Sequence, residues 1–412
     1  MPKRISRALC VRCKGVKRLC GLERCPILER LRAQRTLPLP RLVDSRTLEG
    51  GTPPSVLVGE WAYPHVRVAA MMAHDLETAS RADAPREWIR WGLDDVIRVR
   101  AGLLAASLRV NARRLDERAL EPIQLAAMSS QPLPMEARLL KPPRPRLDFD
   151  GVLAPVGPVA EAERVELEAE PRVPTPVERA VSDTDAPASE LLVELYDSGV
   201  DVYHSTRLLS LALLGAEGRR RLVPTRWAIT AVDSTVGLEL KRRVLRLPEY
   251  SGRVRLHRSS FSDNRYWVLI LPGPYRLEVV EAWLPGSIWT GDRARVVTNY
   301  EGTLDRGFPV MDGGHYAMRL PILEHLALKL RRQASVLAIR EIGPGYFAPV
   351  GSWQIRESIR AALRSRPEEF DEPEGALSRL ASEVRFDLRG LLVKSRVLRE
   401  LRGQTRLTDL LE

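Results

Sequence analysis

All four cysteines of this chain stand between residues 10 and 25, in "CVRCKGVKRLCGLERC", and the rest of the sequence has none. Their spacing is C-x2-C-x6-C-x4-C. Two thiolates separated by two residues reach one ion from a single turn, and a second pair closes a tetrahedron. Cys10, Cys13, Cys20 and Cys25 are therefore expected to hold Zn(2+). An iron–sulfur cluster is the less favoured occupant of such a set. Two disulfides or four unrelated thiols are the weaker alternatives, because a reducing compartment keeps thiols apart. Four thiolates leave no open coordination position, so the zinc is structural rather than catalytic. Residues 1–36 should thus form a small metal-held module, and a thiol-free body should fold by its own core.

The net charge is +11, and residues 1–36 carry eleven Lys/Arg against two Glu. Most of the imbalance therefore sits in the cysteine-bearing end. Lys3, Arg4, Arg7, Arg12, Lys14, Lys17 and Arg18 surround the thiols. Such charge density suits DNA phosphate contact, although a solvated basic face has the same composition. Aromatic residues to stack on bases are scarce there. No secretion signal is readable at the start, and apolar runs such as "VLAI" at 336–339 fall far short of a membrane span. A cytoplasmic protein with no membrane partner is expected.

The body reads as mixed α/β, of the α+β kind, without internal repeats. "SVLVGEWAYPHVRVA" reads as two short strands around Tyr63-Pro64. Residues 86–110 read as helix, because Trp88, Trp91, Val96, Val99, Leu103 and Leu104 fall near one face. The Pro-rich stretch 131–180 reads as a linker or as irregular chain on the surface. Residues 186–214 form a helical pair split at Gly199. An extended piece should run through Thr230, followed by a helix with Asp233 at its N-cap. Short strands are expected at 253–257, 265–271 and 276–284. Residues 317–332 should be helical, "SVLAIREI" a buried strand, and 352–364 and 374–401 helical.

Two stretches look like sites. In "VPTRWAITAVD", Thr225 and Arg226 offer a hydroxyl and a fork of donors, Trp227 a flat face, and Asp233 a carboxylate or a cap. In "IREIGPGYFAPVGSWQIRE", a strand end bearing Arg340 and Glu341 meets a Gly/Pro loop and then a helix with Arg356 and Glu357. Ligands favour the carboxyl ends of strands, and anions favour helix N-termini. These eight residues make a candidate pocket for a nucleotide ligand, or else a packed core and internal salt bridges. No G-x-S-x-G or H-E-x-x-H occurs, and His65, His74, His204, His257, His315 and His325 show no ligand spacing. Catalytic residues cannot be named from these patterns.

The chain ends "QTRLTDLLE", in which Gln404, Leu407, Leu410 and Leu411 form Q-x-x-L-x-x-L-L. One helical turn aims three leucines at one pocket. The pattern is similar to the box that binds the PCNA sliding clamp, with Leu in place of the usual final aromatics. A last helical turn packed on its own domain is the alternative.

The cysteine cluster, "SVLVGEWAYPHVRV", "LVPTRWAITAVD", "RQASVLAIREI", "APVGSWQIRE" and the terminal box together resemble the archaeal Nre family of DNA-repair proteins, in the form with an N-terminal zinc motif. The chain departs from the family's pattern at Glu60 and His65. The resemblance implies a family domain from 37 to 290, a second from 291 to 402, and a clamp-binding tail from 403 to 412. It implies a DNA-damage-response protein recruited to DNA by the clamp. An enzyme acting on a nucleotide, a DNA adduct or a nucleotide-derived modification is the alternative, with its pocket in 223–233 and 339–357. An RNA-associated zinc protein is a third reading, against which the terminal box argues.

Overall fold

The computed structural model describes residues 46–53, 55–115, 118–143, 157–287, 290, 293–303 and 312–403, with nine isolated positions between 13 and 32. The first sheet takes β1 (Thr47–Thr52), β2 (Val56–Val58) and β3 (His65–Met72). Three helices follow, α1 (Leu76–Arg81), α2 (Pro85–Trp88) and α3 (Leu93–Ala101), and then β4 (Leu104–Asn111). After α4 (Glu121–Met128), β5 (Leu133–Leu139) and β6 (Val159–Leu167) complete the order β1-β5-β6-β4-β3-β2. β4 and β6 run parallel and the other neighbours antiparallel.

Four helices lead away from this sheet: α5 (Thr175–Ser182), α6 (Ala188–Asp197), α7 (Val202–Ser210) and α8 (Thr225–Val244). The second sheet begins with β7 (Val254–Phe261), β8 (Asn264–Leu271), β9 (Arg276–Trp283) and β10 (Arg295–Glu301). After α9 (Asp312–Glu324) and a π-helical run at His325–Leu330 comes β11 (Ser335–Ile342). α10 (Trp353–Arg364) and β12 (Glu368–Phe370) precede the last helices, α11 (Pro373–Glu383), α12 (Leu388–Lys394) and α13 (Arg396–Gly403). The order is β10-β9-β11-β8-β7-β12, so strands from both sides of residue 290 share one sheet.

The largest core runs between the two sheets. It passes from Val68, Leu108 and Met135 through Leu195, Leu208, Val236 and Leu320 to Val268 and Val336. The far face of the first sheet packs Ala69, Met71 and Ala105 against α1 and α3. The far face of the second packs Leu269, Leu337 and Ile339 against α11, α12 and α13. β11 is buried at all eight positions, because helices cover both its faces and strands flank both edges.

The mixed α/β body, the strands around Tyr63-Pro64, the helical pair split at Gly199 and the buried strand "SVLAIREI" stand as expected. Four expectations are corrected. The single helix over 86–110 is α2, α3 and β4: Leu104, Ala106, Leu108 and Val110 alternate into the core, and helical spacing was read across their period of two. The stretch 131–180 is neither linker nor irregular throughout, since it holds β5, β6 and α5. Leu133, Met135, Ala137 and Leu139 point inward while Pro134, Glu136 and Arg138 alternate with them, so proline and charge hid a strand pattern. α8 starts at Thr225 rather than after Thr230, with Pro224 at its N-cap. Asp233 therefore lies in mid-helix and caps nothing; tertiary packing overrides the weak helix propensity of Thr, Trp and Ile here. The helix expected over 317–332 begins at Asp312 and changes to π-helix at His325, ending on left-handed Arg331 (φ 54°). Among the described residues no helix is long and apolar enough to cross a membrane.

Candidate functional site

β9 and β11 run parallel, with Arg340 opposite Glu281 near their carboxyl ends. The Arg340 guanidinium donates to Glu281 at 2.8 Å and to Asn264 Oδ1 at 2.9 and 3.0 Å. Beside it, the Tyr266 hydroxyl donates to Gln354 at 2.5 Å. From α10, Arg356 donates to both oxygens of Asp233 on α8, at 2.6 and 2.8 Å, and stacks 4.9 Å over the Tyr203 ring. The Tyr203 hydroxyl donates to Glu357 at 2.8 Å, and Arg360 bridges Glu357 and Glu324 at 2.6 and 2.7 Å. Burial opposes charge on Arg356, but the Asp233 carboxylate outweighs it and holds the guanidinium charged. The same balance, struck with Glu281, keeps Arg340 charged.

Successive residues of a strand face opposite sides of its sheet. Glu341 therefore leaves these charges and pairs with Arg385 at 2.8 Å on the far face. The following Gly/Pro loop turns on Asp263, which accepts from Gly345 N at 2.9 Å. A Cβ on Gly343 would fall 1.9 Å from Asp263 Oδ2, so only glycine fits there. Tyr346 and Phe347 then pack with Trp88, Phe261 and Trp353.

The first turn of α8 lies elsewhere. Thr225 Oγ1 accepts from Val58 N at 2.8 Å, Arg226 approaches Glu60 at 3.4 Å, and the Trp227 ring stands 6.0 Å from that of Tyr63. From Arg226 to Asp233 the helix rises about 10 Å. Of the eight predicted residues, Asp233, Arg356 and Glu357 share one buried network with Tyr203, and Arg340 is buried in another with Glu281 and Asn264. Thr225, Arg226 and Trp227 meet the 59–64 turn, and Glu341 faces away.

Sequence reasoning missed a second buried cluster, centred on Glu301. Lys241 lies 2.8 Å from its carboxylate, Arg319 donates at 2.6 and 3.0 Å, and His315 stands at 3.4 Å. Burial pushes the Glu301 carboxyl up, but hydrogen bonds from His315, Arg319 and Lys241 bring it down to about 2. Gly237 makes the approach possible, since a Cβ there would lie 2.6 Å from Arg319. His315 stands 14 residues from Glu301, Arg319 18 and Lys241 60, so no regular spacing announces the cluster in the sequence.

At the amino end, Cys13 is buried and Cys20 and Cys25 are half-buried, and all three are free thiols. Lys17 N donates to Cys13 O at 3.1 Å and Glu29 N to Cys25 O at 3.0 Å. Three thiols of the kind zinc takes are thus present, and Cys10 lies outside the described residues. Among the described residues no group of three or more metal-binding side chains forms. Arg24 ties this segment to the body, forking onto Asp94 at 2.8 Å and stacking 4.3 Å over Phe347. Of the basic candidates, Lys17 is exposed, while Lys3, Arg4, Arg7, Arg12, Lys14 and Arg18 lie outside the described residues, as do Gln404, Leu407, Leu410 and Leu411.

Two family models match, described as archaeal Nre, N-terminal, over residues 19–290 and archaeal Nre, C-terminal, over residues 301–410. The chain is 36% identical over 378 residues to DNA repair protein NreA of Archaeoglobus fulgidus, covering 91% of this chain and 93% of that one. It is 34% identical over 398 residues to DNA repair protein NreB of the same organism, covering 96% and 98%. It is 36% identical over 335 residues to DNA repair protein NreA of Haloferax volcanii, covering 78% and 79%. No solved structure matches. With both family models matched in chain order and relatives aligned along nearly the whole length, this chain belongs to the archaeal Nre family.

Proposed function

We propose that this chain is a DNA-repair protein brought to DNA by the PCNA sliding clamp. The observation that carries the reading is similarity, over 91% of the chain, to a protein named for DNA repair. The terminal Gln404, Leu407, Leu410 and Leu411 dock on the clamp. The amino-terminal segment holds structural Zn(2+) through Cys10, Cys13, Cys20 and Cys25, and its basic side chains contact DNA phosphates. Arg24, bridging Asp94 and Phe347, holds that segment against the body. The protein works in the cytoplasm, on DNA. Arg340, Arg356, Asp233 and Glu357 are all engaged in buried internal pairs, which supports a factor over a nucleotide-handling enzyme at that place.

A complementation assay tests this. In a host lacking the gene, the full chain should restore survival after DNA-damaging treatment, and a chain ending at residue 402 should not. Failure of the full chain to restore survival overturns the repair role; equal restoration by the shortened chain overturns the clamp's part in it.

A further inference from the structure

Among the described residues, the large apolar side chains left exposed include three aromatics: two belong to one turn, and the third meets the ring of one of these. Trp61 is 81% exposed, Trp227 50% and Tyr63 36%. Trp61 and Tyr63 project from the 59–64 turn, and Trp227 from the first turn of α8, its ring 6.0 Å from Tyr63 at 37°. A soluble protein has no folding reason to leave two tryptophans in water, where burying either is strongly favourable.

The platform is held rigidly. Gly59 N donates to Arg67 O at 2.8 Å, and His65 N to Ala62 O at 2.8 Å across a left-handed Ala62 (φ 63°). Val58 N donates to Thr225 Oγ1, fixing the turn to α8. Ala112 N donates to Pro64 O at 2.7 Å, and Leu222 N donates to Ala112 O at 3.0 Å. These last two bonds bring a cluster of cations to the rim. Arg113 and Arg114 follow Ala112, Arg221 precedes Leu222, and all three are exposed, with no carboxylate partner among the described residues. Arg226 adds a fourth, exposed over three-quarters of its side chain and leaning on Glu60 at 3.4 Å. The amino end of α8, whose dipole favours anions, opens here without a side-chain cap.

Flat exposed faces ringed by exposed arginines are what a single polynucleotide strand needs: bases stack on the rings and phosphates track the cations. Duplex bases are stacked on one another and offer no free face. We propose that Trp61, Tyr63 and Trp227, with Arg113, Arg114, Arg221 and Arg226, form a binding site for single-stranded DNA. The choice of DNA over RNA rests on the repair reading; the strand-binding geometry does not. Glu60 leans against Arg226 at 3.4 Å and holds it in place.

Fluorescence anisotropy of the full chain with a labelled oligo-dT strand, beside the equivalent duplex and oligo-U, tests the site. Intrinsic tryptophan quenching is read in parallel. The wild-type chain should prefer oligo-dT over duplex, with quenching. Trp61→Ala with Trp227→Ala should weaken strand binding at least about tenfold and abolish quenching, while Trp61→Phe retains most of the affinity. Arg113→Ser with Arg114→Ser should lower the salt dependence. All these side chains are exposed, so thermal melts should match and folding is controlled. The double tryptophan variant binding oligo-dT like wild type overturns the proposal, as does equal or tighter binding of the duplex. Tighter binding of oligo-U overturns the assignment to DNA. Clamp titration of the same double variant should be unchanged, so failure here and failure of clamp recruitment are separately visible.

Discussion

Replacing Arg356 with alanine should destabilise the body more than any single surface change. Arg356 and Asp233 are 2% exposed each, joined by two hydrogen bonds at 2.6 and 2.8 Å, and they tie α10 to the middle of α8. The variant leaves the Asp233 carboxylate buried without its cation and removes the guanidinium stacked on Tyr203. Breaking a buried pair from one side costs about 3–5 kcal/mol. The unfolding entropy of a 412-residue chain is about 0.9 kcal/mol per kelvin, so the melting temperature should fall by about 3–6 °C. Because one core runs through both sheets, the transition should stay single. Asp233→Asn alongside Arg356→Met should recover part of the loss, since neither side then carries an uncompensated charge. Differential scanning calorimetry of wild type, Arg356→Ala and the double variant decides the matter. A shift below about 1 °C for Arg356→Ala, or a double variant no better than the single, would refute the buried-pair account.

Three further outcomes follow from other parts of the fold. Glu301 has a folded pKa near 2 against an ordinary 4.5, so its contribution is complete above the unfolded value and vanishes as pH falls toward 2. Glu301→Gln should cost about 3 kcal/mol at neutral pH and flatten the acid limb of the stability curve between those values, as urea titrations across that window would show. Gly343→Ala should lower stability by about 1–3 kcal/mol, because its Cβ meets an Asp263 carboxylate already held by Gly345 and Arg385 at 2.9 and 2.8 Å; an unchanged urea midpoint contradicts that geometry. Fresh protein should carry one zinc per chain by elemental analysis, and Cys10→Ser or Cys20→Ser should release it with little change in the body's melt; zinc far below one per chain removes the metal from the account.

How much of this was legible depended on whether the signal was local. β11 announces itself because it is buried between two strands and two helical layers, and the unbroken apolar run VLAI at 336–339 forms its centre. The turn at Gly199 was readable because a left-handed residue (φ 84°) selects glycine. β5 was not, because its polar half holds Pro134, Glu136 and Arg138, and these outweigh the inward Met135 and Ala137 in any composition count. The start of α8 was missed for a different reason: Thr225, Trp227 and Ile229 prefer extended backbone, and only packing on the β2 edge and on α9 makes them helical. The site shows the same division. Arg340, Arg356 and Asp233 were found as residues, Asp233 in the same candidate pocket as its partner Arg356, but Glu281, 59 residues from Arg340, is a partner the spacing of the chain does not advertise. Exposure was equally unreadable: Trp61 and Trp227 look like Trp88 and Trp353 in sequence, and only the fold separates the platform from the core.

Titration calorimetry of the sliding clamp into this protein tests recruitment most directly. The account predicts micromolar binding, about −8 kcal/mol or weaker, since a short tail orders on docking and two leucines replace aromatics. Leu410→Ala with Leu411→Ala should abolish the heat of binding and leave the body's melting temperature unchanged. Equal affinity for the clamp in wild type and double variant, or a lowered melt with clamp binding retained, would contradict it.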